Sequence, residues 1–218
     1  DLGDEVNDPH AALELLDWWQ DELRQCYAGR ATHPVFIALR ETIERFDIPA
    51  DPFSDLLTAF RRDQTVHRYP NWDSVLDYCR YSANPVGCLV LYLGGYRDEE
   101  RQVLSGYTCT ALQLANFWQD VSRDLDKDRI YIPLDMLAAN DLTESDLFDR
   151  RFDKRYESLM RDLVSRTHEL FRLGLPLTLL ISRDLRVDIE LFTRGGIAVL
   201  DAIQSLGYNT LQRRPHLT

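Results

Sequence analysis

Apolar residues recur at helical spacing along almost the whole chain, and this periodicity restricts the fold more than any other feature of the sequence. Along residues 33–49, for example, one face carries a row of apolar side chains, namely Val35, Ala38, Leu39, Ile43 and Phe46. Strand signals are nearly absent, because the one β-rich stretch, RIYIP at residues 129–133, is too short to build a sheet. The sequence therefore predicts an all-α fold of about eight helices.

Caps and helix-breaking residues give the predicted boundaries. The first helix starts at a capping Asn7 or Asp8 and carries Pro9 in its first turn. Asp51 is the predicted cap of the third helix. Pro85 lies inside the predicted helix at residues 71–95, where its missing N–H kinks the axis. Further helical segments are predicted at residues 98–124, 134–148 (two short pieces), 154–174 and 176–207.

The bulk properties favour an ordinary globular chain. With 218 residues and no repeat, low-complexity tract or Gly/Ser linker, one domain spanning residues 1–218 is expected. The net charge of −11 argues against nucleic acid as the main partner, because binding to phosphates needs a basic surface. The four cysteines form no C-x-x-C pair, which favours reduced thiols and a cytoplasmic location. No apolar run reaches the roughly 20 residues of a transmembrane helix.

An acidic cluster interrupts this pattern at residues 113–133, QLANFWQDVSRDLDKDRIYIP, where four aspartates fall within nine residues directly after an apolar run. A helix turns 100° per residue, so positions i, i+3, i+7 and i+11 share one stripe. This stripe carries two amides followed by two carboxylates, namely Gln113, Asn116, Asp120 and Asp124. A polar stripe on an otherwise apolar helix indicates either a solvated helix end or a binding site.

The two interpretations differ in what the carboxylates do. As an exposed pair of like charges, Asp120 and Asp124 would destabilise the helix by roughly a few tenths of a kcal/mol. They would also lie at the unfavourable end of the helix dipole. A metal site explains why the stripe continues back through amides that need partners if they are buried. An EF-hand does not fit, because residues 120–131 lack its glycine and its terminal glutamate.

Mg²⁺ is the predicted metal, because it takes one or two carboxylates together with phosphate oxygens. Two carboxylates rarely complete such a site, so a second acidic group is expected. The strong candidates are Asp1, Asp4 and Glu5, in the opening residues DLGDE. Arg123 and Arg129 would bind the remaining oxygens of a diphosphate.

These motifs resemble the squalene and phytoene synthases, the head-to-head prenyl transferases. The family carries two facing aspartate motifs, and residues 113–133 resemble the second while DLGDE resembles the first without its leading Asp. Residues 78–87, YCRYSANPVG, resemble the family segment that lines the cavity of the cyclopropane intermediate. The resemblance implies an isoprenoid-synthase-type helical bundle around a central cavity. It also implies that helices before Asp1 lie outside this sequence, and it leaves open whether residues follow Thr218.

Two departures point to one branch of the family. Gln119 replaces the usual Arg, which removes a cation beside the diphosphate, and SANPVG replaces a Val-Ala-Gly type run. With HPVF and ERFDIPA, these features resemble the bacterial hydroxysqualene synthases of hopanoid biosynthesis. That branch implies a lyase-type reaction in which presqualene diphosphate and water give hydroxysqualene and diphosphate without a reductant. The alternatives are a transferase making presqualene diphosphate, squalene or phytoene, and an inactive or scaffold relative.

The resemblance also implies roles for individual residues. The Mg²⁺ ligands are Asp1, Asp4, Asp120 and Asp124, and the catalytic residues are Tyr78, Asn116, Asp120 and Asp124. The substrate-binding residues are Gln113, Arg123, Arg129, Tyr131, Tyr81, Ser82 and Asn84. Ser82 and Asn84 are expected to position the quenching water at the Pro85 kink, although a plain packing kink is an equal alternative.

A prenyl diphosphate, either presqualene or farnesyl diphosphate, is the expected partner. Its lipophilic product favours peripheral contact with the cytoplasmic membrane face and handover to other hopanoid-pathway enzymes.

Overall fold

The computed structural model describes residues 8–216, and eleven helices lie in that range. They are α1 (Pro9–Tyr27), α2 (Pro34–Phe46), α3 (Asp51–Arg62), α4 (Trp72–Ser82), α5 (Asn84–Leu93), α6 (Glu99–Asp126), α7 (Leu134–Ala139), α8 (Glu144–Phe148), α9 (Lys154–Gly174), α10 (Leu177–Leu180) and α11 (Arg183–Ser205). The β structure of this range is one isolated parallel bridge between Arg68 and Ile130. The predicted all-α fold is confirmed.

The long helix α6 is the centre of the packing. Its 28 residues span about 42 Å, and α9, α5 and α11 pack around it. Asp98 caps its start by accepting a hydrogen bond of 3.1 Å from the backbone N–H of Arg101. Trp118 is fully buried on the α9 side, where its indole N–H donates to Thr167 at 2.8 Å. The opposite stripe of α6 is therefore left to carry polar groups.

Two predicted helices are interrupted in the structure. The helix predicted at residues 71–95 breaks at Ala83 into α4 and α5, because Pro85 cannot continue the hydrogen-bond ladder and is accepted only in the first turn of a new helix. The helix predicted at residues 176–207 breaks at Ile181, whose backbone is extended, into α10 and α11. These breaks and the short pieces account for eleven helices instead of about eight.

One predicted cap is also corrected. Asp51 is the first residue of α3, and Ala50 holds the capping position. A carboxylate in the first turn still stabilises the helix through its dipole, so the prediction identified the right helix start with the wrong local role. Asp8 does cap α1, as predicted, by accepting from the backbone N–H of His10 at 3.0 Å.

The apolar residues form one large cluster and two smaller ones. The large cluster joins α4, α6, α9 and α11, whereas a second cluster belongs mainly to α1, α2 and α3. Among residues 8–216, no helix combines the length and the apolar character needed to cross a bilayer.

Candidate active site

The last two aspartates of the acidic cluster have structural partners. Asp126 accepts a hydrogen bond of 2.6 Å from Arg150, and Asp128 accepts one of 2.5 Å from Arg68. The hydrogen bond from Arg68 lowers the pKa of Asp128. Arg68 also bonds the backbone carbonyl of Asp128, so these pairs fasten the turn after α6. The cluster therefore divides into two fastening carboxylates and the two on the polar stripe.

Asp120 is a paired and largely covered carboxylate. Only 17% of its side chain is exposed, and both of its oxygens accept hydrogen bonds from Arg214, the second at 3.4 Å. The interpretation of Asp120 as a solvated residue at a helix end is therefore wrong.

Gln119 is buried between α6 and the chain after α11. Its amide N–H donates to the carbonyl of Pro215 at 3.0 Å, and its amide oxygen accepts from Arg214 at 3.2 Å. Gln119 carries no charge of its own, and Arg214 brings a guanidinium to this end of α6. The pairing of Arg214 with Asp120 could not be predicted from local sequence patterns, because 94 residues separate the two.

Asp124, Arg129 and Tyr131 line one small crevice. They meet because the chain turns sharply after α6, and the backbone N–H of Arg129 bonds the carbonyl of Asp124 at 2.8 Å. The ring of Tyr131 stacks on Phe117 with centroids 3.7 Å apart and planes within 5°. Burial, with the charge of Asp63 as a smaller cause, raises the pKa of Tyr131 to about 12.

Tyr78 lies beside this crevice in a group of aromatic rings. Its ring centroid is 5.9 Å from that of Tyr131 and 5.4 Å from that of Tyr69. Its hydroxyl donates a hydrogen bond of 2.7 Å to Asp63, and burial followed by this carboxylate raises the pKa of Tyr78 far above its usual value. Sequence analysis missed Asp63, because nothing in the local pattern of α3 marks it as a partner of α4.

Two polar side chains, Ser82 and Asn84, lie at the break between α4 and α5. The buried Ser82 hydroxyl has no hydrogen-bond partner among the described residues. The side-chain oxygen of Asn84 accepts from Thr110 of α6 at 2.9 Å. The guanidinium of Arg62 lies 4.4 Å from the ring centroid of Tyr81, which gives that ring a cationic cover.

A cavity of about 580 Å³ opens beside Asn84. Its wall includes Asn84 and Pro85 of α5 together with Gly106 and Thr110 of α6. Thr110 and Asp120 are ten residues apart on one helix, which separates them by about 15 Å. The cavity and the carboxylates therefore lie at different heights along α6, and Tyr78, Asp120 and Asp124 do not line the cavity itself.

Three other residues of α6 that were predicted to act at the site differ in their exposure. Gln113 is half-buried, whereas Asn116 and Arg123 are exposed. Because Asn116 is exposed, its amide does not need a partner within the protein.

The donor chemistry fits part of a Mg²⁺ site. Asp120 and Asp124 offer hard oxygen donors one helical turn apart, which suits this ion. Within residues 8–216, no group of three or more His, Cys, Asp or Glu side chains forms a complete metal site. The other two predicted ligands, Asp1 and Asp4, lie outside the described residues.

The chain matches one protein-family model and several phytoene synthases. The family model for squalene/phytoene synthase matches residues 1–218. The phytoene synthase of Thermus thermophilus is 34% identical over 99% of this chain and 74% of its own length. That of Arthrospira platensis is 30% identical over 94% and 71%. The chloroplastic phytoene synthase of Narcissus pseudonarcissus is 28% identical, and this chain spans only 53% of its length.

Solved structures agree with this match. The crystal structure of the squalene synthase HpnC from Alicyclobacillus acidocaldarius superposes with a TM-score of 0.91 at 45% identity, covering 96% of this chain and 79% of that one. A dehydrosqualene synthase in complex with ligand gives a TM-score of 0.86 at 24% identity over 95% of this chain and 72% of its own, which supports the fold alone. On the match over the whole chain and these relatives, the protein belongs to the squalene/phytoene synthase family.

Proposed function

We propose that the protein converts presqualene diphosphate and water to hydroxysqualene and diphosphate in a Mg²⁺-dependent reaction. The observation that carries this proposal is the buried Ser82 hydroxyl, which lacks a partner among the described residues. A buried hydroxyl normally finds a hydrogen bond, so a water or ligand is expected there. Asn84 lies two residues further on and lines the cavity. A water held at this break would reach a cation formed in the cavity.

Departure of the diphosphate needs compensation of its charge. Bound Mg²⁺ would neutralise the leaving group as a Lewis acid, with Asp1, Asp4, Asp120 and Asp124 as its ligands. Arg123 and Arg129 would bind phosphate oxygens, and Gln113 and Asn116 would orient the phosphate or its waters. The crevice that Asp124 shares with Arg129 supports a joint role for these two residues.

The carbocation left behind needs aromatic surroundings and one controlled nucleophile. The rings of Tyr78, Phe117 and Tyr131 form an apolar aromatic group next to the Asp124 crevice, in which Phe117 and Tyr131 stack face to face. The raised pKa of Tyr78 keeps its hydroxyl protonated, so no phenolate competes with water for the cation. The oxygen of the positioned water forms the new C–O bond and releases one proton.

A second candidate is a head-to-head prenyl transferase that makes presqualene diphosphate, squalene or phytoene. It is favoured by the relatives named phytoene synthase and by the squalene synthase HpnC. An inactive or scaffold relative is a third candidate, although it does not explain the two carboxylates Asp120 and Asp124 or the polar side chains at the break between α4 and α5.

Peripheral contact with the cytoplasmic membrane face, and handover of product to other hopanoid-pathway enzymes, extend this proposal. Exposed apolar side chains at α10 and α11 support the membrane contact, with Leu179 at 77%, Leu191 at 66% and Phe192 at 58% exposure. Co-sedimentation of the enzyme with lipid vesicles tests it, and loss of binding in the Leu191→Ser variant is expected.

Product analysis tests the reaction itself. Full-length enzyme with Mg²⁺ receives presqualene diphosphate or farnesyl diphosphate, each with and without NADPH. The proposal expects hydroxysqualene from presqualene diphosphate in both conditions and no product from farnesyl diphosphate. Presqualene diphosphate or a hydrocarbon formed from farnesyl diphosphate would favour the second candidate.

A further inference from the structure

The segment after α11, residues 208–216, lies across the end of α6 that carries Asp120, and is called here the C-terminal strap. Four hydrogen bonds anchor the strap: Thr210 to the Tyr156 hydroxyl at 2.8 Å, Arg150 to the Leu211 carbonyl at 3.1 Å, Gln212 to the Arg150 carbonyl at 3.1 Å, and Gln119 to the Pro215 carbonyl at 3.0 Å. None of these bonds uses the side chain of Arg214. The strap therefore stays docked when that side chain moves.

Arg214 is held by two acceptors on α6. Its guanidinium bonds both oxygens of Asp120 and also the amide oxygen of Gln119 at 3.2 Å. The ion pair is largely covered, with 26% of the Arg214 side chain and 17% of the Asp120 side chain exposed. The hydrogen bond to Asp120 raises the pKa of Arg214, so the guanidinium remains charged at every relevant pH.

A cation at Asp120 has consequences for any second cation. A divalent ion needs the carboxylate oxygens that Arg214 already bonds, and two like charges at one carboxylate repel each other. Arg214 therefore opposes metal binding at Asp120 for as long as it stays bonded to this carboxylate. The Arg214 side chain has space to move away, because it also lines a cavity of about 560 Å³ together with Asp201 and His216.

We propose that Arg214 is a resident counter-ion of Asp120 that competes with the divalent cation for this carboxylate. Gln119 is the positioning residue that holds Arg214 there, through one amide that bonds both the strap and the guanidinium. The inference rests on the proposed function, because that function makes Asp120 a metal ligand. It goes further by naming Arg214 as the partner of Asp120 when no metal is bound. It also gives a reason for an amide at position 119, which holds Arg214 in place.

Binding of Mn²⁺ to full-length enzyme, followed by electron paramagnetic resonance of the free ion, tests the proposal. Titrations are made with and without inorganic pyrophosphate. Without pyrophosphate, Arg214→Gln is expected to bind Mn²⁺ about fivefold more tightly than wild type, the factor expected for removing a competing ion pair of ordinary strength. Gln119→Leu is expected to shift affinity in the same direction by less. Arg213→Gln is the matched control, since Arg213 is exposed on the same strap and is expected to change nothing.

Arg214→Lys provides a second variant should the glutamine variant fold poorly. It keeps the charge but loses the two-pronged contact, so an intermediate Mn²⁺ affinity is expected. If neither Arg214 variant gains Mn²⁺ affinity over wild type, Arg214 is a purely structural partner and the inference is overturned. Failure of wild type to bind Mn²⁺ even with pyrophosphate would instead overturn the proposed function together with the inference.

Discussion

The hydroxyl of Tyr78 on α4 donates a hydrogen bond of 2.7 Å to Asp63 at the end of α3. This contact fixes the orientation of the phenol within the ring group formed with Tyr69 and Tyr131. Because burial and the carboxylate both raise its pKa, Tyr78 acts as a neutral hydrogen-bonding group. Asp63 therefore fixes the orientation of the Tyr78 hydroxyl, a group proposed to act in catalysis.

Removal of this hydrogen bond is expected to destabilise the fold. Tyr78→Phe should lower the free energy of unfolding by about 1.5–3 kcal/mol, the range for a hydrogen bond to a charged group. Urea denaturation of Tyr78→Phe, Asp63→Ala and the double variant measures the coupling. The double variant should lose less than the sum of the single losses, whereas strict additivity would show that the two side chains do not interact.

Two adjacent glycines of α11 are expected to respond in opposite directions to alanine. A Cβ at Gly196 would contact the Phe171 ring and approach a Leu112 methyl to 2.8 Å, so Gly196→Ala should destabilise by about 1–3 kcal/mol through overpacking. A Cβ at Gly195 meets nothing within 4 Å, so Gly195→Ala should stabilise by up to about 1 kcal/mol through helix propensity. Thermal unfolding measures both, and equal effects would contradict the close packing of α6, α9 and α11.

Asp55 on the cavity wall gives a pH-dependent prediction. Burial raises its pKa, with Arg80 opposing the shift, so the ionised form costs folding free energy. That cost is present above the folded-state pKa and disappears below the unfolded-state value of about 3.9. Asp55→Asn should therefore melt at a higher temperature than wild type at pH 7. The two melting temperatures should converge below about pH 4, and a variant less stable at pH 7 would contradict the burial cost.

The carboxylates of the acidic cluster should separate by function. Asp124→Asn should lower Mg²⁺-dependent turnover about 100-fold or more, since loss of even an outer-shell metal partner costs about 10- to 100-fold. Asp126→Asn is the matched control, because Asp126 is paired with Arg150 at the surface. Steady-state assays over a range of Mg²⁺ concentrations measure both. Equal losses in the two variants would show that the cluster acts only on the fold.

The polar break between α4 and α5 should control the nucleophile. Ser82→Ala and Asn84→Leu should lower the ratio of alcohol to hydrocarbon products, because each removes a polar atom that would hold water. Thr110→Val should give a smaller change, since Thr110 only fixes the Asn84 amide through its 2.9 Å hydrogen bond. Chromatography of the products measures the ratio. An unchanged ratio in all three variants would leave the break as a packing feature.

The sequence predicted the all-α fold because helical periodicity depends on neighbouring residues. The caps at Asp8 and the boundaries of α6 and α9 are local in the same way. Contacts between distant residues were not predictable, and the pairing of Arg214 with Asp120 and of Asp63 with Tyr78 appears only after folding. The exposure of Asn116 was equally unpredictable, because periodicity assigns a residue to a helix face without revealing what covers that face.

Incubation of full-length enzyme with presqualene diphosphate and Mg²⁺ in ¹⁸O-enriched water shows which oxygen enters the product. In the proposed reaction, the C–O bond to diphosphate breaks and water supplies the new oxygen. Mass spectrometry of the hydroxysqualene should therefore detect ¹⁸O in the alcohol. An unlabelled alcohol would mean cleavage between phosphorus and oxygen, and a hydrocarbon without alcohol would mean that water is not the nucleophile; either result would contradict the account.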